Sequence, residues 1–578
     1  MIGLLFCITS SGITSRHAEW HVHGGRRWEN VTSTPSVYGT ATTNPWLGKV
    51  VCEALDLAAD RWPDSPAIVN GETQLTYAEL VARRDALASA LARRGIGEGT
   101  HVGLFLRRSW EQVVLLHAAW RLGAVIVALN TSWEADELEY AVGFTDIEIL
   151  VASTNVAGAP ATRQLTDLGV PLHGPISNPR FPSLRGVVTD DPAASPDPRW
   201  HLQAWLDEPA GALPPVSDAQ DTVMIFTSGS SSRPKAVVVR QESLLGSAHF
   251  FMRQLGLTSA DRFLGLGQHF HAGGLVQLLG TTLNGAEHHL FDGFQPEAMA
   301  RTIHERKITA TTGFDLVLTR ILDELEHNGW RSPLASVGAA PGTSVHDRLE
   351  DSGAQVVMMY AMSEAANMVT LTAPDLESER DRMSSGYAMP GVSLRICDVV
   401  TGESLPAGTP GEICFRGWNL FSRYHGDPEK TAEVIDKDGF FHTGDYGFID
   451  EDGRLYYRGR YSMMIKTGGE NVSETEVESF LTRELPGVVT AAVVGVPDER
   501  WGEAVVAFVE LEPGMPFDQE ALRNACRGKI AGYKIPKRFH QISSSGWPTS
   551  PMGKLMKQDL RIAASERVAG ASTARSTI

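Results

Sequence analysis

Between residues 76 and 151 the sequence alternates between two periodicities, and this restricts the possible fold more than any other feature. Thr76-Tyr77-Ala78-Glu79 has the spacing of a capping box, in which a hydroxyl and a carboxylate three residues apart satisfy each other's backbone N–H groups. Tyr77, Leu80, Val81, Leu87, Ala88 and Leu91 then recur at helical spacing until Gly95 ends the run. A strand is predicted at 101–106, a helix at 110–122, a strand at 125–129, a helix at 134–142 and a strand at 147–151. Short apolar strands alternating with helices predict a layered α/β fold. The 578 residues exceed one such layer, and at roughly 100–200 residues per domain they predict several.

Two stretches punctuate this pattern. Residues 182–215, rich in Pro, Asp and Gly, read as a long surface connection before a strand at 223–226. Beyond the run 440–460, with turn pairs at Asp438-Gly439 and Asp452-Gly453, the pattern becomes that of a small unit: helices at 475–485 and 519–526, strands at 491–496 and 504–511. A domain boundary is expected near Arg460 to Met463. The predicted division is a poorly structured extension over 1–44, a large domain over 45–460, a small domain over 461–561 and a flexible tail over 562–578. The charge of 51 Lys+Arg against 69 Asp+Glu, net −18, argues against nucleic acid as a partner. No apolar run approaches the ~18 residues of a membrane span, so no membrane partner and a cytoplasmic location are expected. The five cysteines are scattered without CxxC pairs, which speaks against a disulfide framework or zinc ribbon.

The chemistry-bearing segments are spread along the chain. Phe226 to Lys235 follows a predicted strand and places five hydroxyls, one glycine and two cations in ten residues, a composition suited to donating hydrogen bonds and positive charge to phosphate. It is not the GxxxxGK[ST] loop, and alone it reads as readily as a solvated linker. Met359-Tyr360-Ala361-Met362-Ser363-Glu364, His442-Thr443-Gly444-Asp445, Gly459-Arg460 with Ile465 to Asn471, and Pro551-Met552-Gly553-Lys554 follow in order. Together the five segments resemble the motifs of the adenylate-forming superfamily, which includes acyl-CoA synthetases and aryl-CoA ligases. The resemblance spans about Pro45 to Arg561.

That resemblance implies a large multi-layer N-terminal adenylation domain and a smaller, mobile C-terminal α+β lid. The implied substrates are ATP, a carboxylic acid of aryl or medium-chain type, and CoA, with Mg²⁺ as cofactor. By the same resemblance Lys554 bridges carboxylate and α-phosphate, Glu364 holds Mg²⁺ and Ser363 touches the α-phosphate. Thr227, Ser228, Gly229, Ser230, Ser231 and Lys235 cradle the phosphates. Gly338, Ala339 and Ala340 line the purine, Tyr360 stacks on adenine, and Asp445 takes both ribose hydroxyls with Arg460 nearby. Gly468 and Gly469 admit the thiol arm of CoA. The acyl pocket is expected between 269–274, 311–314, 338–341 and 359–362, with His271 resembling a residue at its border, though a plain core histidine is as good a reading of it; His269 is a similarly weak candidate. Ser232 and Ala236 stand where relatives have glycine, predicting a stiffer phosphate loop. Ala361 replaces another glycine and adds a methyl at the acyl pocket, which leans towards a planar or small acid, and Met463 replaces the polar hinge residue. Two rival readings remain. One is transfer to a carrier protein or an amine, including nitrite-activating, diazotase-like chemistry; the other is a nucleotide-binding protein without catalysis. The sequence does not reveal oligomeric state.

Overall fold

The computed structural model describes residues 38–39, 43–156, 159–160, 162–171, 174–191, 197–227, 234–339, 345–373, 379–461, 464–467, 470–498, 500–549 and 555–573. The capping box forms as expected: Thr76 Oγ1 accepts from Glu79 N at 3.2 Å, and Glu79 Oε2 accepts from Thr76 N at 2.8 Å. It opens the helix Tyr77–Arg93, whose buried face is Tyr77, Leu80, Leu87, Ala88 and Leu91. Each buried leucine contributes about 1.5–3 kcal/mol of apolar burial.

Two large sheets form the N-terminal part. In the first, His101–Phe105, Val125–Ala128, Ile149–Ala152 and Gly186–Thr189 run parallel, and Asp221–Thr227 continues the parallel set before pairing antiparallel with Lys235–Arg240. The inner strands are buried along their whole length, the pattern of a sheet covered on both faces. Gly186–Thr189 corrects the sequence reading of 182–215 as a surface connection. Its β-branched pair Val187-Val188 sits fully buried beside Leu150 and Val151, and burial overrides the flanking Pro and Asp residues.

The second sheet brings Ala310–Thr312, Ser336–Ala339 and Gln355–Met362 together in parallel. One apolar core joins residues of both sheets to the helices Gln241–Gln254 and Ala272–Asn284. A third, antiparallel sheet holds Val392–Cys397, Gly411–Gly417 and the hairpin Phe441–Ile449 with Leu455–Arg460. The hairpin turns at Asp452-Gly453, where Gly453 takes φ +87°.

The small C-terminal unit has its own cores. Val488–Asp498 and Gly502–Leu511 form a long hairpin, with Arg538–Gln541 parallel to its second strand. The helices Glu474–Glu484 and Gln519–Cys526 match the expected spans closely. A last helix, Lys557–Thr573, runs through most of the stretch read as a flexible tail. Its alanines favour helix, and Leu560 and Ala564 are buried against Val494, Val506 and Phe508. Lys557 Nζ lies 3.0 Å from Glu474 Oε2 and 2.6 Å from Glu478 Oε1, fastening this helix to the first helix of the unit.

Candidate active site

Asp445 sits at the heart of the site. It follows Gly444, which adopts φ +71°, and Thr443, whose hydroxyl donates to Ile413 O at 2.7 Å and accepts from Asp445 N at 3.0 Å. The Gly444 N–H donates to Glu412 Oε1 at 2.8 Å, so the turn is held from both sides. Asp445 itself is 4% exposed. Tyr360 OH donates to its Oδ2 at 2.6 Å, and Arg460 Nε lies 2.9 Å from Oδ1. Oδ1 has no aligned hydrogen-bond donor among the described residues. A buried carboxylate oxygen with a charge beside it and no hydrogen bond is poised to accept from a ligand hydroxyl. Burial raises the Asp445 pKa, while Arg460 and the Tyr360 hydroxyl pull against it.

Tyr360 lies near the end of the strand Gln355–Met362, its ring 5.5 Å from that of Tyr457 at an interplanar angle of 30°. The strand runs into a 3₁₀ turn, Ser363–Ala365, followed by Ala366 and Asn367 at φ +47° and +91°. Two successive non-glycine residues in this region are strained, a feature that concentrates at functional sites. The turn presents Glu364, whose Oε1 accepts from Tyr424 OH at 3.0 Å and whose backbone O accepts from Phe421 N at 2.8 Å. Lys235 Nζ stands 4.9 Å over the Tyr424 ring. Burial, then the Lys430 charge, lowers the Lys235 pKa, with Glu364 opposing.

Thr227 and Lys235 face each other across the Asp221–Thr227/Lys235–Arg240 pair, so the hydroxyl-rich segment is the link between two adjacent strand ends. Ser228, Gly229, Ser230, Ser231 and Ser232 lie outside the described residues, as do Ala340, Gly468, Gly469, Met463 and Lys554. Ala236 corrects the expectation of lost φ freedom: it lies in an extended strand opposite Phe226, where glycine's left-handed conformations are not used. Gly338 and Ala339 end the strand beside Gln355–Met362. A Cβ at Gly338 would come 2.6 Å from Thr312 Oγ1 and 2.7 Å from Phe251 Cζ, so any larger residue would have to push these side chains aside.

Ala361 is exposed. His271 caps the helix Ala272–Asn284 and is half-buried. His269 is a core histidine: it is 3% exposed, its Nδ1 is 2.8 Å from Gln112 Oε1, and burial holds its pKa well below the ordinary value. Sequence reasoning missed Glu412, Tyr424 and Tyr457, which support the motif residues from other strands. Their only sequence signal is membership of alternating strands, which marks no particular residue.

Parallel strands ending beside a buried, ion-paired aspartate, with Glu364 and Lys235 both set against Tyr424 and a small separate C-terminal unit, define a two-domain nucleotide-binding class. The chain belongs to the AMP-binding enzyme family, which it matches over residues 55–425, with the C-terminal domain of AMP-binding enzymes at 476–554. It is 32% identical to a feruloyl-CoA synthase of Amycolatopsis over 511 residues, covering 86% of this chain and 96% of that one. It is 29% identical to a 2-succinylbenzoate–CoA ligase of Geobacillus kaustophilus, covering 86% and 95%. The fold matches the ATP-bound crystal structure of MatB from Rhodopseudomonas palustris with a TM-score of 0.74 at 28% identity, over 89% of this chain and 99% of that one. Among the described residues no helix is long and apolar enough to cross a membrane.

Proposed function

We propose that this protein is an ATP-dependent acid–CoA ligase that activates an aryl or medium-chain carboxylic acid as its acyl-adenylate and then forms the CoA thioester. The observation that carries the reading is the Tyr360–Asp445–Arg460 cluster, in which a buried carboxylate oxygen waits for a donor beside strand ends that lead to Glu364 and Lys235. Asp445 accepts the ribose hydroxyls, with the Arg460 charge beside it opposing the effect of burial. Tyr360 supports the adenine with its ring and orients Asp445 with its hydroxyl. Thr227, Lys235 and the intervening serines bind the phosphates, and Ser363 meets the α-phosphate. Gly338, Ala339 and Ala340 present backbone polar groups to the purine.

Glu364 fits a Mg²⁺ site: its carboxylate is oriented by Tyr424, and Mg²⁺ takes one or two protein carboxylates together with substrate phosphates. When bound, Mg²⁺ supplies charge neutralisation to the phosphates. In the first half-reaction the substrate carboxylate oxygen attacks the α-phosphorus and pyrophosphate leaves, with Lys554 offsetting the repulsion between the two anions. In the second, the CoA sulfur attacks the acyl carbon and AMP leaves. The reading takes 45–460 and 461–561 as two bodies turning about Arg460 to Met463, so that Lys554 and then the Gly468-Gly469 loop serve the same cleft. The exposed Ala361 methyl and the names of the aryl-CoA relatives favour planar acids.

The test is acid-dependent ATP–pyrophosphate exchange over a panel of aryl and medium-chain acids, followed by AMP release with and without CoA. Exchange with at least one acid and a CoA-dependent thioester are expected. Turnover that ignores CoA but needs an amine, a carrier protein, or nitrite with an aryl amine would replace the acceptor. ATP binding without exchange on any acid would replace the enzyme reading altogether.

A further inference from the structure

The third sheet carries a second cluster of reactive side chains on one face, close to Asp445 yet separate from it. Cys414 on Gly411–Gly417 pairs directly with His442 on Phe441–Ile449, and its Sγ is 3.5 Å from His442 Nδ1. Glu412, two residues before Cys414 and so on the same face, brings Oε2 within 2.8 Å of the same Nδ1. The three donor atoms, one sulfur, one imidazole nitrogen and one carboxylate oxygen, all lie within 4.8 Å of one another. Cys397, on the neighbouring strand Val392–Cys397, packs with Cys414 and Phe440. Both thiols are free and buried. We propose that Glu412, Cys414 and His442 form a binding site for a borderline-soft divalent cation, with Zn²⁺ the metal its donors suit.

Three features carry this beyond proximity. Around tetrahedral Zn²⁺ with bonds of about 2.0–2.3 Å, donor atoms stand roughly 3.3–3.7 Å apart. The Cys414–His442 edge already has that length, and the His442–Glu412 edge needs to open by about half an ångström. The other ring nitrogen of His442, Nε2, faces Asp436 Oδ2 at 3.5 Å, the carboxylate–histidine arrangement that orients a metal-ligating imidazole. The site also has an approach: the side chains of His442 and Glu412 are 26% and 17% exposed while the sulfurs are buried behind them. Cys397 packs against Cys414 from the neighbouring strand. Nearby Arg395 is balanced by Asp436 and Asp438.

Binding is an exchange of cation for protons. The Cys414 thiol proton and the Nδ1 proton that His442 gives to Glu412 leave to solvent, and no oxidation state changes. The metal would tie down the strand whose Glu412 Oε1 already holds the Gly444 N–H, next to Asp445. The site rests on these side chains alone and stands whether or not the acid–CoA ligase reading does.

The full-length chain, stripped of metal under reducing conditions, is titrated with Co²⁺ and then Zn²⁺. One equivalent of Co²⁺ is expected to give a thiolate-to-cobalt charge-transfer band with the intense visible bands of four-coordination, which Zn²⁺ abolishes. Zn²⁺ is expected to raise the melting temperature. Cys414→Ser is expected to lose the charge-transfer band, Glu412→Gln to bind at least tenfold more weakly, and Cys52→Ser to match the unsubstituted chain. Absence of the band in the unsubstituted chain overturns the proposal, as does an unchanged band in Cys414→Ser. Should Cys414→Ser fail to fold, Glu412→Gln decides: wild-type affinity in that variant overturns the site.

Discussion

Lowering the pH from 7 to 5 should destabilise the N-terminal part through histidines that burial keeps neutral, and His117 isolates the effect. His117 lies on the helix Trp110–Arg121, is 1% exposed and stands edge-on to Trp120 at a centroid distance of 5.5 Å. Neither ring nitrogen has a hydrogen-bond partner among the described residues. Burial, reinforced by the charge of Arg84, lowers its pKa from 6.5 to about 3. The unfolded chain therefore binds a proton that the folded chain refuses. Stability is complete above the unfolded value of 6.5 and falls as the pH drops towards 3. At pH 5 the linkage integral comes to about 2 kcal/mol for this residue. His288, lowered to about 3, and His249, lowered to about 4, act in the same direction with similar size. Three such groups remove about 6 kcal/mol by pH 5, a large share of a typical folding stability of about 5–15 kcal/mol. Urea unfolding followed by tryptophan fluorescence at pH 7 and pH 5 measures the loss. His117→Leu, close in volume and without polar atoms, should lose about 2 kcal/mol less than the unsubstituted protein over that interval. An identical loss in both proteins would refute the argument, because the proton would then be taken up elsewhere.

Three substitutions test the site. Asp445→Ala should raise the ATP KM by about ten- to a hundredfold, the worth of charge-assisted hydrogen bonds to the ribose, and calorimetry showing equal ATP affinity would remove the assignment. Lys554→Ala should abolish acid-dependent pyrophosphate release while leaving thioester formation from supplied acyl-adenylate intact; a normal first half-reaction would exclude Lys554 from it. Gly338→Ala inserts a methyl 2.6 Å from Thr312 Oγ1 and 2.7 Å from Phe251 Cζ. It should cost about 1–3 kcal/mol of stability and weaken ATP binding, and a wild-type urea midpoint with wild-type affinity would mean that the strand end gives way freely.

What the sequence discloses and what it conceals follow from the range of the interactions involved. The helix Tyr77–Arg93 is legible because both its cap and its apolar face lie within one segment. The strand Gly186–Thr189 is hidden because four residues carry too little pattern to outweigh Pro182 and the Asp-rich segment after it, whereas the neighbouring buried strand decides the matter in three dimensions. Tyr360, Glu364 and Asp445 stand out through motif order, but the groups that orient them do not. Tyr424 reaches Glu364, and Tyr457 stacks on Tyr360, from strands many residues away. The Cys414–His442 pair is likewise a matter of sheet register, invisible to any search for closely spaced ligands.

The pairing of Arg460 with Asp445 marks the boundary most sharply. The turn at Asp452-Gly453 can be read directly, and the alternation of Phe441–Ile449 tells which side chains share a face. From that turn the hairpin pairs Ile449 with Leu455, Phe448 with Tyr456 and Gly447 with Tyr457. Continued unbroken, this register would set Gly459 opposite Asp445 and Arg460 opposite Gly444, on the wrong face. A bulge intervenes: Tyr446 pairs with Gly459 and Asp445 with Arg460, one extra residue having been taken up on the second strand. Gly459 accommodates it at φ +117°, a conformation that a side chain would resist. Gly459 thus acts through its lack of a side chain. The inserted residue brings the guanidinium onto the buried carboxylate, where its charge opposes the pull of burial towards the neutral acid.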